Sequence, residues 1–268
     1  MKKVFFLLVA LMCLGSTLVR AQYVPHITSE RKPAPLPKVR EADILWKKTV
    51  WRIIDLRERM NQPLYYPTKE VNGKKNLMTI LFTGIEKGQF LAYDPEDGKT
   101  EFDIPLDWDQ VADKLWTYST EPYQKPFTLD QVNLGDIKQM MIKEVWFFDK
   151  QASYMQVRIL GLCPILIYPK DPLDEKSPIL KRRVCWIYFP NTRNVLSQSE
   201  VFNSFNDARN LSFYDVFLNR KFDGYIYQES NMYNNRPILS YAKGDKASEE
   251  AIRIENEIFN WEQDVWEY

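Results

Sequence analysis

The chain has 268 residues, 36 basic against 36 acidic, with 45% hydrophobic and 14% aromatic residues. That is the make-up of an ordinary globular protein rather than a disordered or fibrous one. Zero net charge without clustered Lys and Arg argues against a nucleic-acid partner, because counterion release needs such clusters. A single histidine, His26, leaves no material for a Ser-His-Asp or Cys-His centre or a multi-histidine zinc site.

Residues 1–21 (MKKVFFLLVALMCLGSTLVRA) read as a secretory signal: two lysines, an apolar run, then small residues ending at Ala21. Cleavage after Ala21 removes three basic residues and leaves a net charge of −3. The apolar run is short for a bilayer span, and no later stretch approaches the roughly 18 apolar residues a span requires. Residues 22–40 hold four prolines and read as an extended arm, weakly ordered in an isolated subunit, since so few large apolar groups cannot offset its ordering entropy.

From 41 to 61 the pattern predicts an N-terminal helix, with Ala42, Leu45, Trp46, Thr49, Ile53, Leu56 and Met60 on one stripe. Val50, Trp51 and Ile54 fall outside that stripe, so the apolar surface is wider than one core contact needs. Short runs at 77–83, 89–93 and 100–104 have β character, the last two joined by a Pro/Asp/Gly turn. A short helix is predicted over 107–118, then a Pro-containing connector with a candidate lobe boundary near 119–128. Strands at 138–148 and 152–162 flank a tight turn, and a further hairpin places position 163 opposite about 185 to 187. A helix follows at 211–222, and a final one over 247–266 with Ala251, Ile254, Ile258, Trp261 and Val265 on its inner stripe. The fold class is therefore α+β: a mainly antiparallel sheet with an N-terminal and a C-terminal helix, in one body from 41 to 268 or two lobes.

Chemistry is sparse. Nine glycines build no phosphate-cradling loop or nucleophile elbow, so no cofactor, metal or catalytic residue is assigned. The one enzyme route left is a carboxylate pair, Glu144 and Asp149, framing the aromatic run 145–148. The simpler reading has Asp149 capping the hairpin turn and Glu144 pairing across the strands with a base such as Arg158. Cys163 and Cys185 are either a disulfide, which export would permit, or two buried thiols acting as small core residues.

Four stretches, ILWKKTVWRIIDLRERMNQPLYYP (44–67), EVWFFDKQASYMQVRILGLCP (144–164), NDARNLSFYDVF (206–217) with YIYQESNMY (225–233), and ENEIFNWEQDVWEY (255–268), together resemble the GldN/PorN family of the type IX secretion and gliding-motility machinery of Bacteroidetes. The resemblance runs in order along almost the whole chain beyond the arm. Val145 departs from the pattern where an acid is common, and Cys163 where a small apolar residue is common. The resemblance implies a periplasmic, non-catalytic subunit that forms a ring on the inner side of the outer membrane with a lipoprotein of the GldK/PorK type. It spans no membrane itself.

Two surfaces are candidates for such contacts. On the first predicted helix they are Trp51 and Ile54, unless Leu64, Tyr65 and Tyr66 fold back to cover Trp51 within the same chain. On the last helix they are Ile252, Phe259 and Trp266, seven residues apart and so stacked along one line beside Glu255 and Glu262. There the alternative is burial of both ridges in a cleft between lobes.

Overall fold

In a computed structural model, residues 31–266 are described apart from 72, 97–99, 117–127, 130–131, 172, 175, 203–210 and the side chains of 262 and 264–266. The predicted signal segment, the first part of the arm and most of the 119–128 connector lie outside the described residues. Eight strands form one antiparallel sheet: β1 (Ile44–Asp55), β2 (Ala92–Tyr93), β3 (Pro105–Leu106), β4 (Ile137–Asp149), β5 (Tyr154–Pro169), β6 (Ile179–Arg183), β7 (Trp186–Tyr188) and β8 (Tyr225–Glu229). Their order is β3-β2-β7-β5-β4-β1-β8, with β6 also paired to β5. Six α-helices accompany them among the described residues: α1 (Gln62–Tyr65), α2 (Leu77–Glu86), α3 (Trp108–Leu115), α4 (Phe189–Gln198), α5 (Phe213–Leu218) and α6 (Asp245–Trp266). The α+β class, the antiparallel sheet and the C-terminal helix follow the sequence reading; the N-terminal helix does not.

The segment expected as that helix is β1, an inner strand between β4 and β8. Its residues 50–54 are all buried, so apolar side chains point to both faces. A doubly covered strand carries a near-continuous apolar run rather than an alternating one. That run produced the surplus apolar width that a helical wheel assigns to a second surface. The opposite error occurs at 77–83, where the β-rich run is the helix α2. Its N-terminus is capped by Asn76, whose Oδ1 accepts from Thr79 N at 2.8 Å, and its Leu and Met residues are good helix formers.

The β4–β5 hairpin forms as its pattern predicts, with Asp149 opposite Tyr154. The Asp149 carboxylate accepts from the backbone N–H groups of Gln151 (2.9 Å) and Ala152 (3.4 Å), closing the turn. α3 falls within its predicted span, and its start is fixed by Asp107 N donating to Gln110 Oε1 at 2.9 Å. α1, α4 and β8, the last inside a polar stretch, escaped the sequence reading.

Alternation along β1, β4 and β5 sorts the core into layers. One sheet face presents Ile54, Leu56, Met140, Ile142 and Leu162 to α2, α4 and α5, which contribute Leu81, Phe82, Leu196, Phe213 and Phe217. On the same face nearer β8, Val50 and Ile226 meet Ile254 and Ile258 of α6. The opposite face carries Trp51, Ile53, Met141, Cys163, Ile165 and Trp186, with Tyr93, Phe102 and Tyr227 packed against it. At the start of β8 the backbone of Gly224 presses on β1, where an added Cβ would sit 2.4 Å from Ile53 O. Only glycine allows that approach.

Candidate functional site

The last helix is anchored by every second residue of β1. Trp46 stacks on Trp261 with ring centroids 5.5 Å apart. Lys48 Nζ lies 2.8 Å from both Glu257 and Glu229, Val50 packs among Ile254 and Ile258, and Arg52 Nη2 donates to Glu255 Oε1 at 3.0 Å. Side chains two apart on a strand share one face, so a single edge of β1 reads the helix at four successive positions. Arg253 extends the charged row through Glu250 (2.8 Å) and Glu257 (3.2 Å). The Arg253 hydrogen bond holds the Glu250 carboxyl below its usual range. At Glu257 burial pushes upward, but Lys48 and Arg253 together outweigh it and the net direction is down.

Beneath this row sits a buried charge cluster. Glu144 is fully buried; its Oε1 accepts from Arg220 Nη1 at 2.8 Å, and its Oε2 accepts from Arg220 Nη2 at 3.3 Å and Trp146 Nε1 at 3.2 Å. Arg52 Nε lies 3.7 Å from the same Oε2. A carboxylate enclosed by two guanidiniums and an indole N–H is satisfied as a structural ion. The expected base Arg158 is not its partner: Arg158 stands beside Val145 in the strand register, and Arg220, after α5, takes the role. No sequence spacing signals a contact across 76 residues.

The outward side of α6 is different in kind. Ile252 and Phe259 are 57% and 55% exposed, although Ala251, Ile254 and Ile258 on the inward side are buried. Beside Phe259 is a hollow of about 260 Å³ lined by Arg52, Trp146, Arg220, Phe222 and Glu255. Beside Ile252 is a larger groove of about 410 Å³ between α6 and β8, lined by Tyr225, Ile226, Ile238, Leu239 and Ala251. Two apolar side chains thus stay exposed, each next to a hollow, on a helix already anchored by its other side. The third predicted member of the ridge, Trp266, has its side chain outside the described residues.

The other predicted positions fall elsewhere. Trp51 is only 5% exposed and Ile54 is fully buried, both by their own chain. Trp51 is covered not by Leu64, Tyr65 and Tyr66 but by Glu101 and Lys143: its Nε1 donates to Glu101 at 2.8 Å, and Lys143 Nζ sits 5.0 Å from the ring centroid. Cys163 and Cys185 are free and fully buried. The register Leu162↔Ile187 confirms their placement on neighbouring segments, but they join apolar clusters on opposite faces of the sheet. Burial pushes the Cys163 thiol up to about 12 and raises the Cys185 thiol well above its usual range. The structure carries both as buried free thiols.

Among the described residues no helix is long and apolar enough to cross a membrane, and the carboxylates flanking the aromatic run are engaged in the fold. The architecture thus defines an α+β protein whose last helix carries an exposed apolar ridge. The family model for gliding motility associated protein GldN matches residues 39–267. The chain belongs to that family and is a component of the gliding-motility and type IX secretion machinery. No curated protein matches it.

Proposed function

We propose that the chain is a structural, non-catalytic subunit of a periplasmic ring within this machinery, held by contacts with copies of itself and with an outer-membrane lipoprotein of the GldK/PorK type. The observation that carries the reading is the outer ridge of α6, where Ile252 and Phe259 stay more than half exposed while the same helix is anchored through four positions of β1. Trp266 continues that line in the sequence and belongs to the proposed contact. The carboxylate pair that a glycosidase would use speaks for structure instead. Glu144 is clamped by Arg220, and Asp149 closes a hairpin turn.

Acids outnumber bases along α6, so the partner surface carries basic groups and association weakens with salt. The test is gentle extraction from the envelope, then sizing and identification of co-purifying proteins, for wild type and Phe259→Ala. A large assembly containing a lipoprotein, lost in the variant, supports the reading. A wild-type chain that stays monomeric and brings no lipoprotein with it overturns it, as does a Phe259→Ala chain that assembles normally.

A further inference from the structure

We propose that the groove between β5, α4 and α5 is a binding site for an extended proline-rich segment, filled here by residues 33–37 of the chain and able to take the same segment from a second copy. The segment's own chemistry fixes its shape. In KPAPLPK (32–38) every residue from 32 to 37 is either a proline or precedes one. Proline holds φ near −65°, and the residue before it is pushed out of the helical region, so the stretch is a polyproline-II rod without any partner. Three prolines also remove three N–H donors, which leaves carbonyl oxygens as the main groups a receptor can address.

The groove addresses those oxygens. Ala34 O accepts from Arg193 Nη2 and from Tyr214 Oη (3.3 Å), and Pro37 O accepts from Arg158 Nη2. A polyproline-II rod has three residues per turn, so the carbonyls of 34 and 37 project from one edge. The donors stand along that edge. Arg193 is itself set by a 2.9 Å hydrogen bond to Tyr214 Oη and lies over the Tyr214 ring, 5.2 Å from its centroid. Between the two carbonyl contacts Leu36 lines, with Ile159, Phe189, Tyr214 and Phe217, a hollow in which about 50 Å³ is open. An aromatic-floored groove, carbonyl-directed donors and one apolar side pocket are the elements by which proteins read proline-rich ligands.

The same features make the occupant exchangeable. Leu36 remains 37% exposed, and the residues around it are mostly exposed as well, so little surface is uncovered when the rod leaves. The hydrogen bonds named go to backbone oxygens and the apolar contact is Leu36, all of which a second copy supplies identically. The rod joins the body through a short turn at Glu41–Asp43, and the six residue steps from 34 to 40 reach roughly 19 Å when extended.

Leu36→Asp empties the groove without touching the core, and a fluorescent peptide of residues 30–40 is the probe. The Leu36→Asp chain is expected to bind the peptide at least about tenfold more tightly than wild type, whose own arm competes at high effective concentration. Adding Tyr214→Phe and Arg193→Gln should abolish that binding while melting stays close to that of Leu36→Asp. Mixing the Leu36→Asp chain with an Arg158→Ala/Arg193→Ala chain, one offering a free groove and the other a free arm, should give a pair by native mass spectrometry that neither forms alone. Absence of peptide binding to Leu36→Asp, or equal binding by all chains, overturns the site. Peptide binding without the mixed pair overturns the second copy as occupant. Neither readout depends on the ring, so the site and the proposed function can fail separately.

Discussion

β1 and α6 share a sequence property and resolve it in opposite ways. Each carries apolar residues in excess of the single stripe one docking face needs. In β1 the excess belongs to a second internal layer: Trp51 and Ile53 face one side of the sheet, Val50 and Ile54 the other, and all four are buried. In α6 the excess stays outside, with Ile252 and Phe259 exposed while Ile254 and Ile258 are covered. An apolar surplus therefore points to a partner only after the element's own layers have been counted. A strand can hide two faces within its own sheet; a helix docked on one side cannot.

The largest effect that tests this contrast is expected at Trp51. Trp51→Ala removes a wholly internal aromatic and should destabilise the chain by about 3–5 kcal/mol, read as a lowered urea midpoint, with assembly retained at temperatures where the variant is folded. A variant that melts like wild type but fails to assemble would return Trp51 to the surface class. Glu144→Gln comes next. It leaves Arg220 and Arg52 facing a neutral amide, and because Arg220 is partly solvated the expected loss is about 2–3 kcal/mol. Unchanged stability would mean that the cluster is not a structural ion pair.

A smaller effect tests the anchoring of α6. Glu250 and Glu257 have folded-state pKa values below their usual range, so their contribution is complete above the ordinary carboxylate pKa and is lost as pH falls through the lowered folded values. Stability of the wild type should decline over that acid range by under about 1 kcal/mol from these groups, because they are partly solvated. Lys48→Met should flatten part of the decline, and identical pH profiles for the two chains would refute the coupling. Phe259→Ala should have the smallest effect on the monomer, within about 0.5 kcal/mol. A monomer destabilised by more than about 2 kcal/mol would show Phe259 to be core and erase the contrast with Trp51.

How much of this was readable in the sequence depended on whether a signal was local. The β4–β5 hairpin, α3 and α6 announce themselves through turn residues, caps and periodicity within a dozen positions, and the Asp149 cap belongs to that group. β1 was misread because its polar members sit on the face toward α6. Lys48 and Arg52 break the apolar alternation of a strand, yet each is satisfied by an acid some 200 residues away. The Arg220 clamp on Glu144 is non-local in the same way. β8 lies in a stretch too polar to look like a strand, and its pairing with β1 is permitted by the missing side chain of Gly224. On the candidate site the seven-residue spacing of Ile252 and Phe259 was legible as a line along one helix. The hollows beside them were not, since β8 and Arg220 build them from elsewhere in the chain.

The pairing of β1 also sets an order of events. Asp149 and Tyr154 meet across five residues, whereas Asp55 must find Gln139, 84 residues onward, and Val50 must find Glu229. Loop-closure entropy and chain order both make the β4–β5 hairpin the early structure and β1 a late insertion. A chain that emerges N-terminus first therefore carries, from its first fifty residues, a strand with two apolar faces and no partner until β4 and β8 follow it. In pulse-labelled refolding, amides of β4 and β5 should become protected before those of β1. Until β1 is seated, the strand left with two uncovered apolar faces is also the one around which α6 is finally fastened.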